Sequence, residues 1–227
     1  LTRLSRPILK IKIPIGDQIV TVFNCHLKSK LGEFSGNEAD LTNYDPVGRA
    51  LGSLRAGLRR MAEAWVLRRA VVAEINAGHP VMVLGDFNDG EHAVSSEIIR
   101  GETPFKNYAW MRRNDAAHAS DRYTKDENQQ ITQGIETVRL HSAEKMFVQK
   151  SLRDMVFTSA FGGVFESIDQ ILMSRHFVPG HTGQIGQMDY FSVLNDHLTD
   201  GSHPEAPHNK LASDHGQIMA HMRLFTE

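Results

Sequence analysis

PVMVLGDFND, residues 80–89, runs from a buried strand straight into a polar turn. Val81 to Leu84 are four consecutive apolar residues, the length and composition of a short core strand. Gly85-Asp86-Phe87-Asn88-Asp89-Gly90 then breaks the run with turn formers. In extended backbone, residues two apart share a face, so Asp86 and Asn88 leave the strand end on the same side. The first is an anionic oxygen ligand and a proton acceptor. The second is a neutral amide able to donate to a phosphate oxygen or to bind a cation. The competing reading is structural only: Asp86 caps a helix beginning near Glu91.

Upstream, Pro7–Ile13 (PILKIKI) and Gln18–Asn24 (QIVTVFN) flank a Pro-Ile-Gly-Asp turn and predict a hairpin with one buried face. The second strand continues as Asn24-Cys25-His26-Leu27-Lys28-Ser29-Lys30, which puts Asn24 and His26 on one face. Two polar side chains at a strand end, followed by Lys28, suit an anionic ligand, although a lone strand histidine is more often structural. Residues 31–46 read as a long polar loop. A helix follows over about 47–77, with Leu51, Leu54, Leu58, Met61, Trp65 and Val72 as its apolar stripe and Arg55, Arg59, Glu63 and Arg69 opposite.

Downstream, Glu91–Arg100 predicts a short helix, and 101–150 reads largely as an exposed excursion containing the polar tract ASDRYTKDENQQITQG. Strands are predicted over Leu152–Thr158, around Phe161–Phe165 and Ile168–Met173, over Tyr190–Leu194 and over Gln217–Met222. Asp169 sits among large apolar neighbours, where an unpaired carboxylate is costly, so it requires a partner. The last long loop holds His197, His203, His208 and His215, in no compact zinc spacing and with no cysteine beside them. It closes on Ser213-Asp214-His215-Gly216.

With 227 residues, 41% hydrophobic and 23% charged, the chain reads as one globular domain spanning 1–227. A net charge of −2 and a pI near 6.7 supply no global basic field, although a local groove can still be basic. The single Cys25 excludes an internal disulfide, and no apolar run approaches the roughly 20 residues of a membrane helix. No signal peptide opens the chain. Its opening, LTRLSRPILKIKI, reads like the middle of a sheet, so localisation is left open.

NCHLKSK, GDFND, IDQIL and SDHG, in this order, resemble the later motifs of the endonuclease/exonuclease/phosphatase superfamily, with its deoxyribonuclease-like fold. The resemblance covers roughly residues 8–224. It implies an α/β four-layer sandwich, two mixed β-sheets face to face with helices outside. It further implies that His26 contacts the scissile phosphate or acts as acid and that Asp86 orients or activates the attacking water. Asn88 would hold phosphate or metal, Asp169 would pair with His215, and Asp214 would help bind metal together with Asp86 and Asn88. Asn24 and Lys28 would contact substrate, and the cofactor would be magnesium, with manganese as an alternative.

The family also carries an earlier Asn and a Gln-Glu pair whose Glu is the principal magnesium ligand. Nothing before Asn24 fills those places. The expectation is therefore a C-terminal portion of a domain whose first strands lie elsewhere, with weak metal binding and little turnover by itself. The function implied is a metal-dependent phosphodiester hydrolase, foremost a nuclease, acting on nucleic acid or another phosphodiester without membrane insertion. The alternatives are a phosphatase or lipid phosphodiesterase of the same superfamily, or a non-catalytic scaffold that keeps the fold. No long aromatic hairpin suited to membrane docking is visible, which lowers the lipid option.

Overall fold

A computed structural model describes residues 3–34, 44–103, 125–148, 156–199 and 211–225. The chain opens with antiparallel strands β1 (Leu9–Ile15) and β2 (Gln18–His26), joined by Gly16-Asp17 with Gly16 at φ 56°. That positive φ is what a two-residue hairpin turn asks of its first residue. Helix α1 (Pro46–Asn76) follows, started by Asp45, whose carboxylate accepts from Val47 N–H at 3.0 Å, and by Pro46 in its first turn. Next come β3 (Val81–Asp86), α2 (Val94–Arg100), α3 (Lys125–Val138), β4 (Leu140–Ser142) and α4 (Ala143–Val148). The hairpin β5 (Ser159–Phe161) and β6 (Val164–Glu166), then β7 (Asp169–Ser174), β8 (Gly186–Leu194) and β9 (Gln217–Leu224), complete the order.

Five strands form one mixed sheet in the order β1-β2-β3-β7-β4, parallel only between β2 and β3. A parallel pair needs a crossover, and α1 supplies it. Alternation divides the side chains between two cores. Phe23, Cys25, Val81, Val83 and Leu172 pack under α1 and α2, against Ala64, Leu67, Val71 and Ile99. Val20, Met173 and their neighbours pack on the other side against Phe147 of α4 and Met188 and Phe191 of the β8–β9 hairpin.

The α/β class with a mixed sheet and helices is as expected. The second layer differs from the expected mixed sheet: among the described residues it is the two-stranded antiparallel β8–β9. Leu9, Ile11 and Ile13 of β1 face that side and are exposed beyond its reach.

The apolar stripe predicted for α1 is the wrong face. Leu54, Leu58 and Trp65 are 55%, 53% and 54% exposed, and the buried line is Gly48, Gly52, Ala56, Arg60, Glu63, Ala64, Leu67, Val71 and Ile75. Small residues let the helix lie close on the sheet, while the large apolar ones stay outside. The expected excursion over 101–150 contains α3, β4 and α4. The tract DENQQITQG is therefore helical, and β4 extends the sheet beyond β7. Of the strand predicted over Leu152–Thr158, residues 152–155 lie outside the described ones, and Val156–Thr158 is not strand. His203 and His208 also lie outside. The last two strands are longer than predicted, because β8 begins at Gly186 and β9 reaches Leu224.

The α1 C-terminus is fastened by a buried carboxylate. Glu74 accepts from Thr21 Oγ1 at 2.8 Å and from Lys10, with Lys12 Nζ at 3.3 Å and His79 Nδ1 at 2.8 Å. Burial pushes its carboxyl up, but these four partners outweigh that and hold it at about 2, below the ordinary 4.5. A depressed carboxyl contributes stability that is complete above its unfolded value and is lost as pH falls through the folded one. Urea midpoints measured across pH should therefore drop between pH 4.5 and about 2, and Glu74→Gln should flatten that stretch while lowering the neutral-pH midpoint.

Candidate active site

Strand register places three of the expected residues in one row. His26 is paired with Asp86 across the parallel β2–β3 ladder, and Asp86 with Asp169 across the antiparallel β3–β7 ladder. Neighbouring strands lie about 4.8 Å apart, so three side chains of one row on one face stand shoulder to shoulder. His26 Nε2 is 3.1 Å from Asp86 Oδ2. Asn24 lies on the same face one step back, paired with Leu84.

The turn after β3 holds its own carboxylate. Asp86 Oδ1 accepts the Asn88 backbone N–H at 2.7 Å, and the Asn88 amide donates to Asp86 Oδ2 and to Leu27 O, each at 3.0 Å. Asn88 takes φ 55°, a left-handed conformation that asparagine tolerates better than most residues. The helix-cap alternative for Asp86 does not hold, since α2 starts at Val94 behind Ala93 with no side-chain cap. Gly85 has φ 130°, and a Cβ there would lie 2.0 Å from Cys25 O, so the close approach of β2 and β3 at the row requires glycine.

His215 enters from the loop before β9 and lies over this face. Its Nδ1 is bonded to Asp169 Oδ2 at 2.8 Å, the pairing implied for the buried carboxylate, and its Nε2 stands 4.0 Å from Asp86 Oδ2. The bond to Asp169 raises the imidazole to about 9 against the opposing effect of burial, with Asp86 and Asp214 adding to the rise. The ring is therefore a cation at neutral pH. Asp86 is raised from the ordinary carboxylate range, chiefly by burial and further by Asp169, against the Asn88 bond and the two imidazoles. A cavity of about 610 Å³ opens beside His215, lined by Gly85, Asp169, Gln170, Ser213 and residues 217–221 of β9.

One oxygen each from Asp86 and Asp169 and one nitrogen of His215 lie within 4.8 Å of one another. Two carboxylates with room for water or substrate oxygens suit a hard cation such as magnesium. With two carboxylates and one imidazole, the cluster is poor in the nitrogen and sulfur donors of a structural zinc site. Asp214 is exposed and outside this cluster. Lys28 turns its ammonium to Leu31 O at 2.7 Å, within its own loop, and Lys30 pairs with Glu166 at 2.5 Å and stands 4.0 Å from Asp89.

The sequence reading passed over the residues that hold the site together. Asp89 accepts from Arg60 Nε at 2.6 Å and Ser95 Oγ at 2.5 Å, and its carbonyl accepts from Gln170 at 2.7 Å. Arg60 also donates to Lys28 O at 3.0 Å, and Glu63, 2% exposed, accepts Lys28 N–H at 2.8 Å. The signal available was Arg60 and Glu63 lying in register with the small buried residues of α1. No protein-family model matches the chain, and no curated protein matches it.

Removing one partner of a buried ion pair strands the other charge, at about 3 kcal/mol or more. Arg60→Ala should lower unfolding free energy by about 3 kcal/mol in urea titration, with Arg60→Lys recovering part of it. An Arg60→Ala protein as stable as the parent would remove the fastening role.

Proposed function

We propose that this chain is a metal-dependent phosphodiester hydrolase in which water attacks phosphorus in line. The observation that carries the reading is the row itself: the Asp169 carboxylate and two imidazoles gathered about the Asp86 carboxylate, with Asp169 and His215 lining a cavity. In the reaction a bond forms between the water oxygen and phosphorus, and the bond to the leaving oxygen breaks. Asp86, its carboxyl raised by burial and by Asp169, takes the water proton. His215, held charged by Asp169, presents Nε2–H to a phosphoryl oxygen, where negative charge accumulates. His26, whose Nε2 is 3.1 Å from Asp86 Oδ2, is assigned the role of proton donor to the leaving oxygen. A divalent cation held by Asp86 and Asp169 would supply charge neutralisation.

Nucleic acid is the substrate class favoured by the sequence resemblance. A lipid phosphodiester is the second reading, and an exposed hairpin beside the site favours it.

With magnesium, the protein should hydrolyse bis(p-nitrophenyl) phosphate, a soluble diester that presupposes neither class. The few oxygen donors support half-saturation near the weak end of biological sites, ~10⁻³ M, with loss on chelation. His215→Ala should lower turnover by ~10²–10⁴-fold with the melting temperature little changed. Equal turnover by parent and variant would overturn the reading.

A further inference from the structure

Helix α1 is apolar on two opposite sides. One is the buried line through Gly52, Ala56 and Leu67. On the other, Val47, Leu51, Leu54, Leu58, Met61 and Trp65 recur at alternating steps of four and three. That is the spacing of an a/d seam sustained over three heptads. With 3.6 residues per turn the stripe stands roughly half a turn from the buried line. Val47 is 77% exposed and Leu51 40%, and Leu54, Leu58 and Trp65 are each more than half exposed. Among the described residues, neither core cluster takes in any member of the stripe.

The cations beside the stripe are already engaged. Arg69 stacks on the Trp65 ring at 5.0 Å, Arg59 pairs with Glu33 at 3.4 Å and Glu63 at 3.7 Å, and Arg55 donates to Glu33 O at 3.5 Å. Ala50, Gly57 and Ala62 are the other flanking residues, small enough for a second helix to come close.

We infer that the protein self-associates through α1, the seam of one copy packed against the seam of a second copy. Three observations choose a second copy as the occupant. An a/d repeat supplies both knobs and holes, so an identical helix is its complement. Each flanking arginine already has a partner, so none requires an acidic one, and an apolar patch depleted of free charge is the composition of a homodimer interface. The area also fits: at about 200 Å² for a fully exposed large side chain, the stripe uncovers roughly 500 Å² per copy, and a pair buries about 1,000 Å², the low end of specific interfaces. The association does not depend on the hydrolase reading. α1 packs on Phe23 and Cys25, and His26 faces the other side of the sheet.

The test is sedimentation equilibrium of the full chain. The parent should dimerise with a dissociation constant of ~10⁻⁶–10⁻⁵ M, as a small apolar interface supports. Leu54→Glu with Leu58→Glu should weaken dimerisation by ~10²-fold or more, because four leucines lose their burial across the pair. Its melting temperature, measured at dilutions where the parent is monomeric, should match the parent's, since both side chains are exposed. Ile11→Ser with Ile13→Ser, on the other exposed apolar face, should leave the dimer intact. In a Trp110→Phe background Trp65 is the sole tryptophan, and its emission should move to the blue as concentration rises through the dissociation constant. A parent that stays monomeric at ~10⁻⁴ M overturns the inference. So does a dimer that survives the α1 substitutions, or one that the β1 substitutions abolish. A monomer whose Trp65 emission is blue at every dilution shows a segment of the same chain lying on the stripe, and overturns it as well.

Discussion

Strand register is the constraint on which the rest depends. His26, Asp86 and Asp169 meet because β2, β3 and β7 are paired with those residues in one row. A slip of one residue would turn each of them to the opposite face. That slip is prevented by the core: Phe23, Val83 and Leu172 must stay under α1, so their neighbours of opposite parity must face β8–β9. The polar row is thus held by apolar residues that never touch it. Gly85 lets β2 and β3 come together at the row, and the Asn88 turn keeps Asp86 from collapsing towards a helix end.

The helix layer does a second job. α1 buries Arg60, Glu63 and Glu74, three charges that an ordinary amphipathic helix would leave in water. Each is satisfied by the sheet or by the loops at its end: Glu74 by β1 and β2, Glu63 by the Lys28 amide, Arg60 by Asp89 and Lys28 O. Buried ion pairs are a poor source of net stability compared with packed apolar groups. Their directional bonds, however, fix where the loop after β2 and the turn after β3 stand relative to each other, and these two segments carry His26 and Asp86.

Strands at this site were legible because period-two alternation and turn formers are local signals. The β1–β2 hairpin, β3 and the Asp169 strand lie where the pattern put them. The need for a partner at Asp169 was legible too, since an unpaired carboxylate among apolar side chains is too costly to persist. The buried face of α1 was not. Leu51, Leu54, Leu58 and Trp65 are spaced as a core stripe would be, yet the sheet takes the Gly48, Gly52 and Ala56 line, because closeness of backbone outweighs side-chain size there. The helix over DENQQITQG was missed because its apolar side is marked only by Ile131, Ile135 and Val138, too sparse a period to stand out in a polar tract. Lys28 was misjudged for another reason: a lysine near an anion site has carbonyls of its own loop as competitors, and sequence does not rank them.

Thr158 is where the site and the hairpin become one body. It is fully buried, its amide donates to Glu166 O at 2.9 Å, its carbonyl accepts from Gly216, and its hydroxyl oxygen accepts from Ile168 and Asp169. Buried polar groups with this many partners do not rearrange one at a time, because each lost bond leaves a desolvated group behind. The residue therefore transmits position: β5 leaves it on one side, Asp169 hangs from its hydroxyl, and the His215–Gly216 turn hangs from its carbonyl. The hairpin base and the Asp169–His215 pair are thereby held in fixed positions relative to each other. A rigid joint of that kind keeps the Asp169–His215 pair in one geometry, the requirement for any site whose chemistry depends on the aim of an imidazole.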